Sequence, residues 1–224
     1  MGKFLGKGTI ELCNAPSILS YASAVGPMEG KGPLAEYFDY IGSEAALGEE
    51  SWEKAEVILQ KSAFRSALEK GRLAETDISF IFAGDLLNQC TGSTYGVRDF
   101  DIPFVGVFGA CSTMAESLAL ASIFVESGLA MNAAAMTSSH FCTAERQFRT
   151  PVNYGGQRSP TSQWTATAAG CAVVAPRENP PYIKAVTFGK VTDMGIADAN
   201  KMAYNKIRHT PQRLQGCAFN KINL

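Results

Sequence analysis

Cys111 stands in FVGVFGACSTMAESLALASIFVESG, where a glycine-punctuated apolar strand runs into the first turn of a long helix. The unpaired amides and positive dipole end of a helix N-terminus favour negative charge, so a thiol held there can ionise below its free value of about 8.5. Such a place suits a nucleophile or an anion, with Ser112 and Thr113 supplying the next hydroxyls and amides. The plain alternative is a small buried hydrophobe, which is what most free cysteines are. His140 follows an alanine-rich strand at the end of the sheet where ligand sites of α/β folds form, and it either approaches the thiol or binds a backbone carbonyl. His209, the other histidine, lies in a basic tail. Arg146, Arg149 and Arg158 fall in the stretch 141–164 with Tyr154 and Trp164, a set able to clamp a carboxylate and stack on a planar ring. Each arginine taken singly also reads as an ordinary solvated cation.

The elements that position these residues alternate between strands and helices. SWEKAEVILQKSAFRSALEKG predicts an amphipathic helix, N-capped by Ser51 and stopped by Gly71, with Ala55, Ile58, Leu59, Ala63 and Ala67 on its apolar face. DISFIFAG, IPFVGVFG and MNAAAMTSS predict buried strands, and residues 112–127 a helix apolar around nearly its whole circumference. A helix of that kind must be covered on both sides. Strand–helix alternation at this spacing predicts βαβ units and a parallel sheet. Residues 1–50 predict one or two short strands and a turn-rich excursion at GPMEGKGP, and residues 141–164 predict a long loop, functional by its length, with a mobile surface excursion as the plain alternative. TATAAGCAVVAP and YIKAVTFGKVTDMG predict two antiparallel strands joined by the turn at 177–181.

Composition bounds the remaining choices. With 224 residues, 46% hydrophobic and 18% charged, the chain can bury a sizeable core. Its six cysteines show neither CxxC pairs nor zinc spacing, and no acidic run has EF-hand spacing, so no metal is expected. MGKFLGKGTIEL lacks the apolar core of a signal peptide, and Gly6 stands where a myristoylation motif needs Ser or Thr. The apolar window from Pro103 to Val125 carries Cys111, Ser112, Thr113 and Glu116 at its centre and a break at Gly109, which reads as core rather than a membrane span. All 21 acidic residues precede Lys201, so residues 1–200, with 15 basic residues, sum to −6 and residues 201–224 to +5. Two kinds of sequence meet near Asn200. Five cations in a tail beside an acidic body do not make a nucleic-acid surface.

The helix–strand unit EKAEVILQKSAFRSALEKGRLAETDISFIFAGDLLNQC, the GACSTMAESLA stretch, SSH, QFRTPVNYGGQRSPTSQWT and GKVTDMG together resemble the N-terminal half of thiolase-fold proteins. Within that fold they resemble the stage V sporulation protein AD family of endospore formers, over about residues 4–200. YGGQRSPTSQW is the most particular of these motifs. The resemblance implies an α/β, thiolase-like N-terminal half: a mixed, mainly parallel sheet with a buried nucleophile-position helix, the second half missing. It divides the chain into a thiolase-like domain, 1–200, and a divergent basic tail, 201–224, that is frameshifted, disordered or lineage-specific. The resemblance also implies a role in binding dipicolinic acid or its calcium chelate, for uptake into the developing spore and release in germination. Other components of the dipicolinate transport apparatus are then partners, a homodimer is implied, and the place of action is the cytoplasmic face of the spore inner membrane, held peripherally. On this reading the ligand contacts are Cys111, Ser112, Thr113, His140, Arg149 and Arg158, no cofactor is needed, and calcium enters only with the ligand. The alternative it implies is a thiolase-like acyltransferase with Cys111 as nucleophile, lacking a second-half His or Asn partner. A third reading is a truncated product without independent function, whose uncovered helix makes it aggregate or pair.

Overall fold

The computed structural model describes residues 2–149, 164–189 and 221–223. Ten strands and four α-helices are formed in them. In chain order they are β1 (Lys3–Phe4), β2 (Thr9–Glu11), β3 (Ser17–Val25), β4 (Tyr40–Ile41), α1 (Trp52–Gly71), β5 (Phe80–Gly84), α2 (Thr91–Val97) and β6 (Phe104–Gly106). There follow α3 (Thr113–Glu126), β7 (Ala133–Ser139), α4 (Phe141–Arg149), β8 (Ala168–Ala175), β9 (Ala185–Thr187) and β10 (Lys221–Asn223).

The larger sheet runs β4-β3-β8-β7-β5-β6. Its β4–β3, β7–β5 and β5–β6 pairings are parallel, whereas β8 is antiparallel to both of its neighbours. A smaller sheet runs β1-β2-β9-β10, all antiparallel.

Period-two alternation sends side chains to two cores. Ile81 and Ala83 of β5, Ala134 and Met136 of β7, and Ala169, Cys171 and Val173 of β8 face α1, where they meet Leu59, Ala63, Phe64 and Ala67. Phe82, Ala133, Ala135 and Val174 face the other way, toward Ala119, Ala121 and Val125 of α3. Full burial of side chains such as Phe64 and Phe82 contributes roughly 1.5–3 kcal/mol each. The α3 core also takes in Val186 of the smaller sheet and Leu12 just after β2, while Ile10, Met114, Leu118, Leu120, Ile123 and Phe124 are only partly covered. Tight backbone approach fixes the join between β5 and α3: a Cβ on Gly84 would lie 1.8 Å from the Val107 carbonyl oxygen and 2.6 Å from Thr113 Cγ2.

The local predictions for α1, β5, β6, α3 and β7 correspond to elements at those places, although β6, expected to be buried, is a largely exposed edge strand that pairs on one side only, with β5. Ser51 caps α1 by accepting the Lys54 amide at 3.3 Å, and Arg72, after Gly71, takes the left-handed conformation (φ 54°) that ends the helix. Three differences stand out. The stretch expected as a loop begins with α4, which buries Thr143, Ala144 and Glu145; residues 150–163 lie outside the described residues. The two strands expected to pair with each other across 177–181 belong to different sheets. β8 is claimed on both edges by β3 and β7, so β9 pairs with β2 instead. Of the basic tail, only Lys221–Asn223 is described, as the strand beside β9. No helix among the described residues is long and apolar enough to cross a membrane.

Candidate functional site

The carboxyl ends of β3, β5 and β7 lie at one end of the larger sheet, and a cavity of about 390 Å³ opens there. Cys111 lines it, with Ala110, Asp85, Ser23, Thr137, Ser138, Ser139 and Gly170; Val25, Phe38 and Met114 add apolar wall. Ligand sites of open α/β sheets form beyond strand carboxyl ends for a geometric reason: the chain there turns away from the sheet and leaves a crevice. A Cβ on Gly170 would meet nothing within 4 Å, so this position of β8 opens directly into free space.

Cys111 sits in a single 3-10 turn, Ala110–Ser112, that leads into α3, and its side chain is exposed. Ala110 takes φ 48°, a left-handed conformation that costs a residue with a Cβ about 1 kcal/mol. The surrounding turn holds it there. The Gly109 amide donates to Thr113 Oγ1 at 3.2 Å, and the Ser112 hydroxyl lies within hydrogen-bond reach of the Gly109 carbonyl and of the Glu116 carboxylate. Glu116 thus folds back over the start of α3 and takes up part of its anion-attracting end. Ser112 and Thr113 are buried in this turn and do not line the cavity.

His140 does not line the cavity either. It is fully buried, stacked on Trp52 with ring centroids 5.3 Å apart. Its Nδ1 accepts the Cys142 amide at 3.2 Å, so Nε2 carries the hydrogen donated to the Ala45 carbonyl at 2.8 Å. Burial holds the imidazole below its usual range, against the smaller opposing pull of the Ala45 bond and the Glu29 charge. Both ring nitrogens are therefore spent on backbone, and the ring is neutral.

Arg146 is exposed on α4 and ion-paired with Glu53 of α1. Trp164 packs on Phe141 with centroids 4.6 Å apart. Arg149 ends α4 without a described side chain, and Tyr154, Arg158 and His209 lie outside the described residues. The structure thus brings Cys111 alone of the expected contacts into the described cavity wall.

Two acids were missed by the sequence reading. Asp85 follows β5 directly, and its oxygens accept the Leu87 amide at 2.9 Å and the Ser93 amide at 2.6 Å. Its place just past a strand carboxyl end was the available signal. Glu56 lies one bond behind the wall: its Oε1 accepts the Ser138 hydroxyl at 2.9 Å. Burial, then the neighbouring Asp85 charge, push its carboxyl up to about 7. An acid with Gln60 four residues on, both inside the apolar stripe of α1, was its mark in the sequence.

A larger groove, about 560 Å³, runs between α1 and α2 past Val57, Ile58 and Tyr95. It holds no thiol, and its Lys54, Lys61 and Arg98 are engaged with Glu50, Asp99 and the Tyr95 ring. Among the described residues no group of three or more His, Cys, Asp or Glu could hold a metal ion.

The sequence profile of stage V sporulation protein AD matches residues 6–207. The chain belongs to the stage V sporulation protein AD family. It is 43% identical over 196 residues to stage V sporulation protein AD of Bacillus subtilis (strain 168), covering 88% of this chain and 58% of that protein. The chain therefore spans just over half the length of this curated relative. Among solved structures, a single-residue variant of Xanthomonas campestris OleA bound with cerulenin superposes with a TM-score of 0.54 at 15% identity, covering 85% of this chain and 66% of that one. The priming β-ketosynthase of the R1128 polyketide pathway gives 0.51 at 16% identity, with 91% and 58% covered. These likenesses establish a thiolase-like fold.

Proposed function

We propose that this chain recognises dipicolinic acid, free or as its calcium chelate, in the cavity beside Cys111. On this reading it serves the uptake of that solute into the developing spore and its release in germination. It works with the other components of the transport apparatus at the cytoplasmic face of the spore inner membrane, held peripherally, as a homodimer. Membership of a sporulation family supports the biological setting. The observation that carries the binding reading is the cavity: the Cys111 thiol among Ser23, Thr137, Ser138 and Ser139, with apolar wall for a flat ring. The thiol can donate to a carboxylate without performing chemistry on it, and the Thr137, Ser138 and Ser139 hydroxyls can do so by turning from the Gly84 carbonyl, Glu56 and the Ala166 carbonyl to which they now donate.

Acyl transfer needs a general acid or base near the thiol, and losing one typically costs about 10²- to 10⁴-fold. His140 has both nitrogens occupied elsewhere, so recognition is favoured over catalysis. The test is titration calorimetry with dipicolinate, its calcium chelate and pyridine-2-carboxylate as control. Gly170→Leu, whose Cβ would meet nothing within 4 Å and whose longer side chain extends into the opening, should abolish binding. Unchanged affinity in that variant would remove the cavity from the account.

The exposed thiol keeps one second reading in play, an acyltransferase with Cys111 as nucleophile. Incubation with acyl-CoA and intact-mass analysis should then reveal an acyl-Cys111 thioester. Its absence, with dipicolinate bound, leaves the binding reading standing.

A further inference from the structure

A buried carboxyl and the cavity wall share one hydrogen bond. Ser138 lines the cavity and donates to Glu56 Oε1, while Glu56 itself is 1% exposed. Glu56 Oε2 lies 3.0 Å from the Thr143 hydroxyl, which lies equally 3.0 Å from the His140 carbonyl oxygen. A hydroxyl has a single hydrogen. When Thr143 gives it to the His140 carbonyl, its contact with Glu56 is a hydrogen bond only if Oε2 carries a proton. When Glu56 is ionised, the hydroxyl turns to Oε2. Two hydrogen-bonded states therefore exist, one proton apart, without displacement of heavy atoms.

The surroundings set which state is preferred. Facing Glu56 are Asp85 from beyond β5, itself in the cavity wall, and the segment around the neutral His140 from the β7–α4 junction. β7 contributes Ser138 and α4 Thr143. From α2, Gly92 approaches so closely that a Cβ there would lie 3.3 Å from Glu56 Oε1, with Ser93 beside it. On α1, one turn further along, Gln60 bonds Ser93 at 3.0 Å while its own buried Oε1 finds no partner. None of the ion pairs among the described residues includes Glu56.

We infer that filling the Cys111 cavity with an anion is coupled to protonation of Glu56, so that ligand and one proton are taken up together. The inference rests on the cavity being a dicarboxylate site, as proposed above. An anion beside Ser138 brings a further negative charge next to Asp85 and Glu56, and in a poorly solvated wall neutralising Glu56 relieves the repulsion. Burial and Asp85 already hold that carboxyl at about 7, so the proton is exchanged near neutral pH. Ser138, bonded to Glu56 and lining the cavity, transmits the change.

The test is titration calorimetry of the full chain with dipicolinate at pH 7.5, in two buffers of different ionisation enthalpy, which counts the protons taken up. From a carboxyl at about 7, roughly 0.8 proton per ligand is expected. Affinity should fall about 15-fold between pH 7 and 8.5, as the protonated fraction falls. Glu56→Gln should bind with a flat profile and no uptake. Wild-type binding without proton uptake, or a slope that survives in Glu56→Gln, overturns the coupling. If Glu56→Gln does not fold, the wild-type proton count decides. Absence of dipicolinate heat at every pH is a different failure, that of the cavity reading itself.

Discussion

Replacing Glu56 by Gln should stabilise the protein at alkaline pH and leave it unchanged at acid pH. The folded carboxyl sits at about 7, raised from 4.5 by burial and by Asp85. Between those two values the folded state binds more protons than the unfolded chain, so stability falls as pH rises, and the loss is complete above the folded value. A rise of about 2.5 pH units corresponds to about 3 kcal/mol, absent below pH 4.5 and fully felt above pH 8. Gln suits the site because its carbonyl can accept from Ser138 and its amide can donate to Thr143, the arrangement of the protonated acid. Thermal melts of the two proteins from pH 5 to pH 8 isolate this group, since all others titrate in both. The melting temperatures should differ by about 2–4 °C near pH 5 and diverge to roughly 6–12 °C at pH 8, with the variant higher. Profiles that stay parallel across the range refute the assignment of Glu56 as a carboxyl titrating near neutrality.

Thiol labelling should follow burial: iodoacetamide followed by peptide mass spectrometry should modify exposed Cys13 and Cys111 first, Cys142 slowly, and buried Cys90 and Cys171 only after unfolding. Burial raises the Cys90, Cys142 and Cys171 thiols, Cys171 most, which reinforces the order. Gly84→Ala places a methyl 1.8 Å from the Val107 carbonyl oxygen, so the turn carrying Cys111 must shift; a denaturant melt should show a loss of about 1–3 kcal/mol. Ser51→Ala removes the oxygen that caps α1 and should cost about 1 kcal/mol in the same assay, with Ser51→Asp restoring it.

The chain carries the local elements openly. α1 announces itself by Ser51, its apolar stripe and its end near Gly71; β5, β6 and β7 by short apolar runs; and α3 by an apolar circumference directly after Cys111. Those signals depend on residues within one or two turns of each other, which is why they read correctly without a partner in view. The family motifs likewise lie in continuous stretches, and with them came the thiolase-like fold.

What tertiary structure decided is which distant groups meet. β8 and β9 look alike as neighbouring strands, yet competition for strand edges sends one between β3 and β7 and the other to β2. The short amphipathic α4 was hidden by the prolines and glycines that follow it. Glu56 meets Ser138 across 82 positions, and His140 meets Ala45 across 95. No periodicity encodes such pairings, because they arise only when sheet order and helix packing bring the ends of separate strands to one crevice. The sequence could thus name the thiol, while the fold alone could place Asp85 in the same cavity wall, set Glu56 behind that wall, and turn His140 away.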